Sequence, residues 1–203
     1  MRETELQKLE KLREIIKPFK ALLFDVDGTL ADNMHAHKAA YVATAQEYGI
    51  DLDDNLIDET AGWPTIAVAE EIAKRYHTPL DSEKFAKRKS AIFIERYIQH
   101  TKPIKFVREL LVENMDKKKI GIVSGGSRST LQITLRVIHV HDKYETMVCA
   151  GDTPEGKPSP APFLLCAEQL GVAPQDCIVF EDGDPGVQGA INAGMGWVRI
   201  DQL

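Results

Sequence analysis

The chain has 203 residues, 43% hydrophobic and 28% charged, and its 31 acidic against 25 basic side chains leave a formal charge of −6. That length suits one globular domain of ordinary size, or a core with a small insertion, and the apolar share excludes general disorder. A net acidic chain lacks the basic face of a phosphate-backbone binder, so nucleic acid is excluded as an expected partner. There is no run of about 18 apolar residues, and the N-terminus MRETELQKLEKLREIIKPFK is charged throughout, which predicts a soluble cytoplasmic protein with no membrane association. Cys149, Cys166 and Cys177 are too few and too widely spaced for a disulfide framework or a metal knuckle, and read as buried small apolar residues.

In chain order, residues 4–17 carry Leu6, Leu9, Leu12, Ile15 and Ile16 at three- and four-residue spacing and stop at Pro18, which predicts an amphipathic helix. It either packs on its own domain or docks a partner. The apolar run at 21–26 predicts a strand buried on both faces of a parallel sheet, and similar runs recur at 119–124, 147–150, 177–180 and 197–200. Helix-period stretches at 129–138, 160–170 and 185–193 separate the later strands, so the fold class is α/β with a parallel sheet. Between the first two strands lie about ninety residues with helical periods at 37–48, 65–76, 82–98 and 104–115 and no convincing strand. The last of these helices is expected to be the crossover into the second strand, so residues 33–101 form an all-helical insertion. The expected organisation is an N-terminal extension at 1–18, a core at 19–32 and 102–203, and this insertion. The acids Asp51, Asp53 and Asp54 and the run Lys117, Lys118 and Lys119 read as solvated turns.

The chemistry concentrates where strands end. Asp25-Val26-Asp27-Gly28 follows an apolar strand with two carboxylates and a turn residue, at the sheet edge where parallel sheets bind ligands. One carboxylate there can act as a nucleophile and the other can shuttle a proton, although an Asp-Gly pair can also be only a turn. The second strand ends in Ser124-Gly125-Gly126-Ser127, which lets backbone N–H groups approach an anion at a helix start. After the third strand, Lys157 lies on a loop stiffened by Pro154, Pro158, Pro160 and Pro162. The fourth ends in Glu181-Asp182-Gly183-Asp184. Like charges at about 4 Å and an effective dielectric of about 20 cost about 4 kcal/mol per pair, a cost that a bound Mg²⁺ removes.

These four pieces, in this order at successive strand ends, resemble the haloacid dehalogenase superfamily from Ala21 to the C-terminus. The resemblance implies a Rossmann-like parallel core with an inserted helical cap. It also implies Asp25 as a nucleophile that becomes an aspartyl phosphate, and Asp27 as general acid/base. Ser124, Gly125 and Lys157 would bind the phosphoryl group. Mg²⁺ would be held by Asp25, Asp182 and the carbonyl of Asp27, with Glu181 behind it and Asp184 a further acid in the same run. Gly183 departs from the family, many members of which carry a small hydroxyl residue there. The dehalogenase and phosphonatase branches lack an acid at the position of Asp27, so the resemblance favours phosphoryl chemistry. A helical cap inserted at this point implies a small phosphorylated metabolite enclosed by closure. A monomer is the default expectation.

Residues 162–182, PFLLCAEQLGVAPQDCIVFED, are similar to the bacterial sugar-phosphate phosphatases of the beta-phosphoglucomutase subfamily, those acting on fructose-1-phosphate and 6-phosphogluconate. His37 and Lys89 match cap positions that face the active site in that subfamily, although a helix-start His or one Lys in a basic run is as often at the surface. Gly62-Trp63-Pro64-Thr65 matches the cap loop in which the true mutase carries an arginine for a second phosphate. Thr65 stands there in this chain, which favours hydrolysis over the mutase alternative. Trp63 either stacks on a sugar face or packs between cap helices. A third reading is an inert scaffold that only binds.

Overall fold

The computed structural model describes residues 4–60 and 62–203; the first three residues of the predicted N-terminal extension, and Ala61, lie outside them. Helix α1 (Glu5–Ile15) starts at a capping box in which Thr4 and Gln7 satisfy each other's backbone N–H groups. Strand β1 (Ala21–Phe24) follows, then β2 (Ala31–Asp32) and four helices: α2 (Met34–Glu47), α3 (Asn55–Glu59), α4 (Thr65–Arg75) and α5 (Ser82–Arg96). The chain returns through β3 (Lys102–Pro103) and α6 (Lys105–Asn114) to β4 (Lys119–Val123). It ends in α7 (Arg128–Val137), β5 (Thr146–Val148), α8 (Ala161–Leu170), β6 (Cys177–Glu181), α9 (Asp184–Asn192) and β7 (Gly196–Arg199).

The main sheet has the order β5-β4-β1-β6-β7 and is parallel throughout. Alternation along β1 explains the two layers of the core. Leu22 and Phe24 point to the side covered by α1, α6 and α7, where they join Leu12, Leu110, Leu135 and Phe180. Ala21 and Leu23 point to the side covered by α8 and α9, among Phe163, Cys166, Val179 and Ala190. The rings of Phe24 and Phe180 stack at 4.6 Å across neighbouring strands. All three cysteines are buried and unpaired. Helix α1 packs on α6 through Leu9, Leu12 and Ile16, with Arg13 paired to Glu113. Apart from Leu6, which is 60% exposed, its apolar stripe therefore serves its own domain, each fully buried side chain contributing about 1.5–3 kcal/mol.

The insertion carries apolar clusters of its own, one around Tyr41, Ile57, Ile72 and Phe85 and another around Ala40, Ile92 and Phe93. Three details differ from the sequence reading. Helix α2 begins at Met34 rather than at His37, which places His37 one turn inside it. Helix α3 has only five residues, too few to show a helical period. The interval between the first two strands of the main sheet is also not strand-free: β2 and β3, just outside the insertion, pair antiparallel, Ala31 with Pro103 and Asp32 with Lys102, and tie together the two chain crossings. A two-residue ladder leaves no alternation to read. Among the described residues no helix is long and apolar enough to cross a membrane.

Candidate active site

The central strand delivers the first acid. Asp25 directly follows β1, its backbone N–H still donating to the carbonyl of Phe180 at 3.0 Å, and only 4% of it is exposed. From the loop after β5, Lys157 places its Nζ 2.6 Å from Asp25 Oδ1 and also donates to Glu181 Oε1. Glu181 ends β6 and Asp182 follows it, and Asp182 Oδ1 accepts from Thr29 Oγ1 at 3.1 Å. Among the described residues, Asp25, Glu181 and Asp182 each offer a carboxylate oxygen within 4.8 Å of the others. Gly28 makes room for this approach. It has φ +85°, and a Cβ there would fall 2.0 Å from Asp182 Oδ2.

Three carboxylates against one ammonium leave two negative charges in a nearly dry site. Burial, together with the neighbouring Glu181 and Asp182, pushes Asp25 well above the usual carboxylate range against the pull of Lys157. Burial and Glu181 push Asp182 up to about 7. Burial alone would lower Lys157, but Asp25 and Glu181 outweigh it and raise the ammonium above its ordinary value. An all-oxygen, net-negative cluster fits a hard divalent cation, which would return these acids to their ionised forms.

Asp27 belongs to a second group that joins the core to the insertion. Its Oδ1 accepts from Asn33 Nδ2 at 2.6 Å and lies 3.1 Å from His37 Nε2. The other ring nitrogen of His37, Nδ1, is 2.6 Å from Lys89 Nζ on α5. A protonated Lys89 donates to Nδ1, so the neutral ring carries its hydrogen on Nε2 and donates it to Asp27. Burial and the adjacent ammonium lower His37, and burial brings Lys89 down to about 8. Burial would raise Asp27, but His37 and Asn33 overcome it and hold the carboxyl at about 2. The ring of His37 stacks on Phe93 at 4.0 Å, and Lys89 lies 4.4 Å from the centre of the Tyr41 ring.

Ser124 and Gly125 follow β4 and line the same cavity as Asp25, Asp27 and Asp182. The backbone of Gly62 and Trp63 packs directly onto Gly125, where a Cβ would lie 2.7 Å from the Gly62 carbonyl oxygen. The cavity measures about 70 Å³, and its far wall comes from α2, α3 and α4.

The structure thus brings together Asp25, Lys157, Glu181 and Asp182, and separately Asp27, His37 and Lys89, with Ser124, Gly125, Trp63 and Thr65 around the same cavity. His37 and Lys89 are buried, not surface residues. Trp63 both lines the cavity and packs against the larger cluster of the insertion. Asp184 stands apart: its side chain is 92% exposed and pairs with Arg199, because as the first residue of α9 it points out from the sheet edge. Sequence reasoning missed Asn33, Thr29 and Tyr41. The spacing of Asn33 to His37, four residues at a helix start, was the available signal for the first.

The chain belongs to the haloacid dehalogenase-like hydrolase family, whose model matches residues 22–200. It is 28% identical over 185 residues to fructose-1-phosphate phosphatase YqaB of Escherichia coli, covering 91% of this chain and 98% of that one. It is 31% identical over 189 residues to a phosphorylated carbohydrates phosphatase of Thermotoga maritima, covering 87% and 82%. Among solved structures it is similar to beta-phosphoglucomutase from Clostridium difficile, with a TM-score of 0.80 and 25% identity over 88% of this chain and 83% of that one.

Proposed function

We propose that this protein is a Mg²⁺-dependent phosphatase that hydrolyses small phosphate monoesters, sugar phosphates above all, through an aspartyl phosphate on Asp25. The observation that carries this reading is the buried cluster in which Lys157 holds Asp25 and Glu181 beside Asp182 at the strand ends. The family match and the two phosphatase relatives support it. We place the working units at residues 19–32 and 102–203 for the core and 33–101 for the cap, divided at the β2–β3 ladder, with 1–18 as an extension. A monomer in the cytoplasm acting on a small phosphorylated metabolite suits the acidic composition.

In the first step a carboxylate oxygen of Asp25 attacks phosphorus while the bond from phosphorus to the ester oxygen breaks, and Asp27 gives that oxygen its proton. In the second, water attacks the same phosphorus, Asp27 takes a proton from it, and the acyl phosphate parts into the Asp25 carboxylate and inorganic phosphate. The proton that Asp27 gives in the first step is the one it recovers from water in the second, and Asn33 Nδ2 at 2.6 Å and His37 Nε2 at 3.1 Å hold the ionised carboxylate that serves the second step. Ser124, the N–H groups of the loop after β4, and Lys157 would orient the phosphoryl oxygens. Mg²⁺ held by Asp25, Asp182 and the Asp27 carbonyl would neutralise charge between the nucleophile and the phosphoryl group. Cap packing on Gly125 would keep bulk water from the site. Hydrolysis is favoured over phosphoryl return to a sugar because Thr65 brings no cation to the cap loop.

The test is inorganic phosphate release from a panel of sugar phosphates with and without Mg²⁺, using wild type beside Asp25→Asn. Metal-dependent release abolished by the substitution is expected. Undiminished turnover in the variant would sink the mechanism.

A further inference from the structure

We propose that the leaving group accepted here is uncharged, so that the substrate is a small polyol monophosphate whose scissile phosphoryl group is its sole anion. This rests on the phosphatase reading and concerns the half of the cavity that faces away from the acids. That wall is apolar at Met34, Ile57, Trp63 and Val68, and its polar groups are the hydroxyls of Tyr41, Thr60 and Thr65. The phenol of Tyr41 faces Thr65, the first residue of α4. Hydroxyls and an indole face suit the O–H groups and C–H face of a polyol.

Among the described residues the basic side chains lining the cavity are His37 and Lys89, and both are engaged. Lys89 is 4% exposed, bonded to His37 and seated against the rings of Tyr41 and Phe93, so it cannot turn to a distal anion without leaving Asp27's partner behind. Lys157 is held beneath by Asp25 and Glu181. Elsewhere in the insertion Lys38, Arg75 and Arg88 lie outside the cavity lining and pair with Asp58, Glu71 and Glu47. A carboxylate or second phosphate on the leaving group would therefore lose its water against methyl groups and rings.

The experiment compares kcat/KM of the wild-type enzyme with Mg²⁺ on fructose 1-phosphate, glycerol 3-phosphate, 6-phosphogluconate and fructose 1,6-bisphosphate. p-Nitrophenyl phosphate reports the chemistry independently of polyol recognition. The neutral polyol monophosphates are expected to exceed the acid and the bisphosphate by about 100-fold, the scale of an unmatched buried charge. Thr65→Arg, which adds a cation to the wall, is expected to move the ratio toward the bisphosphate by about tenfold. Equal or better turnover of the doubly anionic substrates by wild type would overturn the inference while leaving the phosphatase intact. An unchanged ratio in a folded Thr65→Arg enzyme would also overturn it. No phosphate from any compound, p-nitrophenyl phosphate included, would overturn the phosphatase reading and this inference with it.

Discussion

The floor and the wall of the cavity are built on opposite principles. The floor gathers Asp25, Glu181, Asp182 and Lys157 from three strand ends of one sheet, and it is crowded with acids whose charge a divalent cation would balance. The wall comes from helices of the insertion, is mostly apolar, and gives up its buried ammonium to a chain that ends on Asp27. A rigid, charged floor suits bond making and breaking at phosphorus, which is common to every phosphate ester. A neutral wall suits choosing among the groups attached to it. Asp27 stands where the two meet, so cap packing and the ionisation state of its carboxyl are physically linked.

The largest effect should come from the floor. Asp25→Asn is expected to lower kcat by about four orders of magnitude or more, as loss of a nucleophile does, with little change in melting temperature. Asp27→Asn is expected to cost on the order of 10²–10⁴-fold, within the range of a single acid/base group. A smaller loss than that of a wall substitution would invert the division of labour.

Lys89→Met tests the link between the two. Replacing a buried ammonium by an apolar chain of similar length is neutral or stabilising, while loss of the partner that orients His37 should lower kcat by about 10–100-fold and alter the acidic limb of the pH profile. Its neighbour Arg88, paired with Glu47 on the surface, is the control: Arg88→Ala should leave turnover within about twofold. Matching kinetics for the two variants would reduce the Lys89 chain to packing.

Mg²⁺ should separate floor from wall by pH. The raised Asp182 binds more protons in the folded than in the unfolded chain between about pH 4 and about 7, and Asp25 is raised in the same direction, so both destabilise the metal-free protein as pH rises above the ordinary carboxylate range. The lowered Asp27 acts oppositely, with its stabilisation lost as pH falls from about 4 toward about 2. The gain in melting temperature on adding Mg²⁺ is therefore expected to be larger at pH 8 than at pH 5, by a few degrees. An equal gain at both would argue that the cation binds elsewhere. The smallest effect belongs to Asp184→Asn, an exposed partner of Arg199, expected to leave Mg²⁺-dependent turnover within about twofold.

How much could be read in advance follows the same division. The strand ends were legible because each is a short apolar run stopping at chemically distinctive residues, and a parallel sheet places all such ends on one edge. The five strands, the helical insertion and the acids at 25, 27, 181 and 182 could thus be located from local pattern. Helix α3 and the β2–β3 ladder were not legible, since five- and two-residue elements carry no period. For His37 and Lys89, residue type and resemblance left burial and surface exposure equally open.

The sequence by itself determined the α/β class, the run of helices between the first two strands of the main sheet and the chemical kind of the floor, because alternation and strand-end residues are local properties of the chain. Only the tertiary structure decided that Lys89 spends its charge on His37, that Asn33 holds Asp27, that Asp184 points to solvent, and that, among the described residues, the cap side of the cavity carries hydroxyls while its basic groups are engaged. Those facts depend on helices up to 52 residues apart meeting over one sheet edge, and no local pattern encodes the side on which a charged residue will be buried.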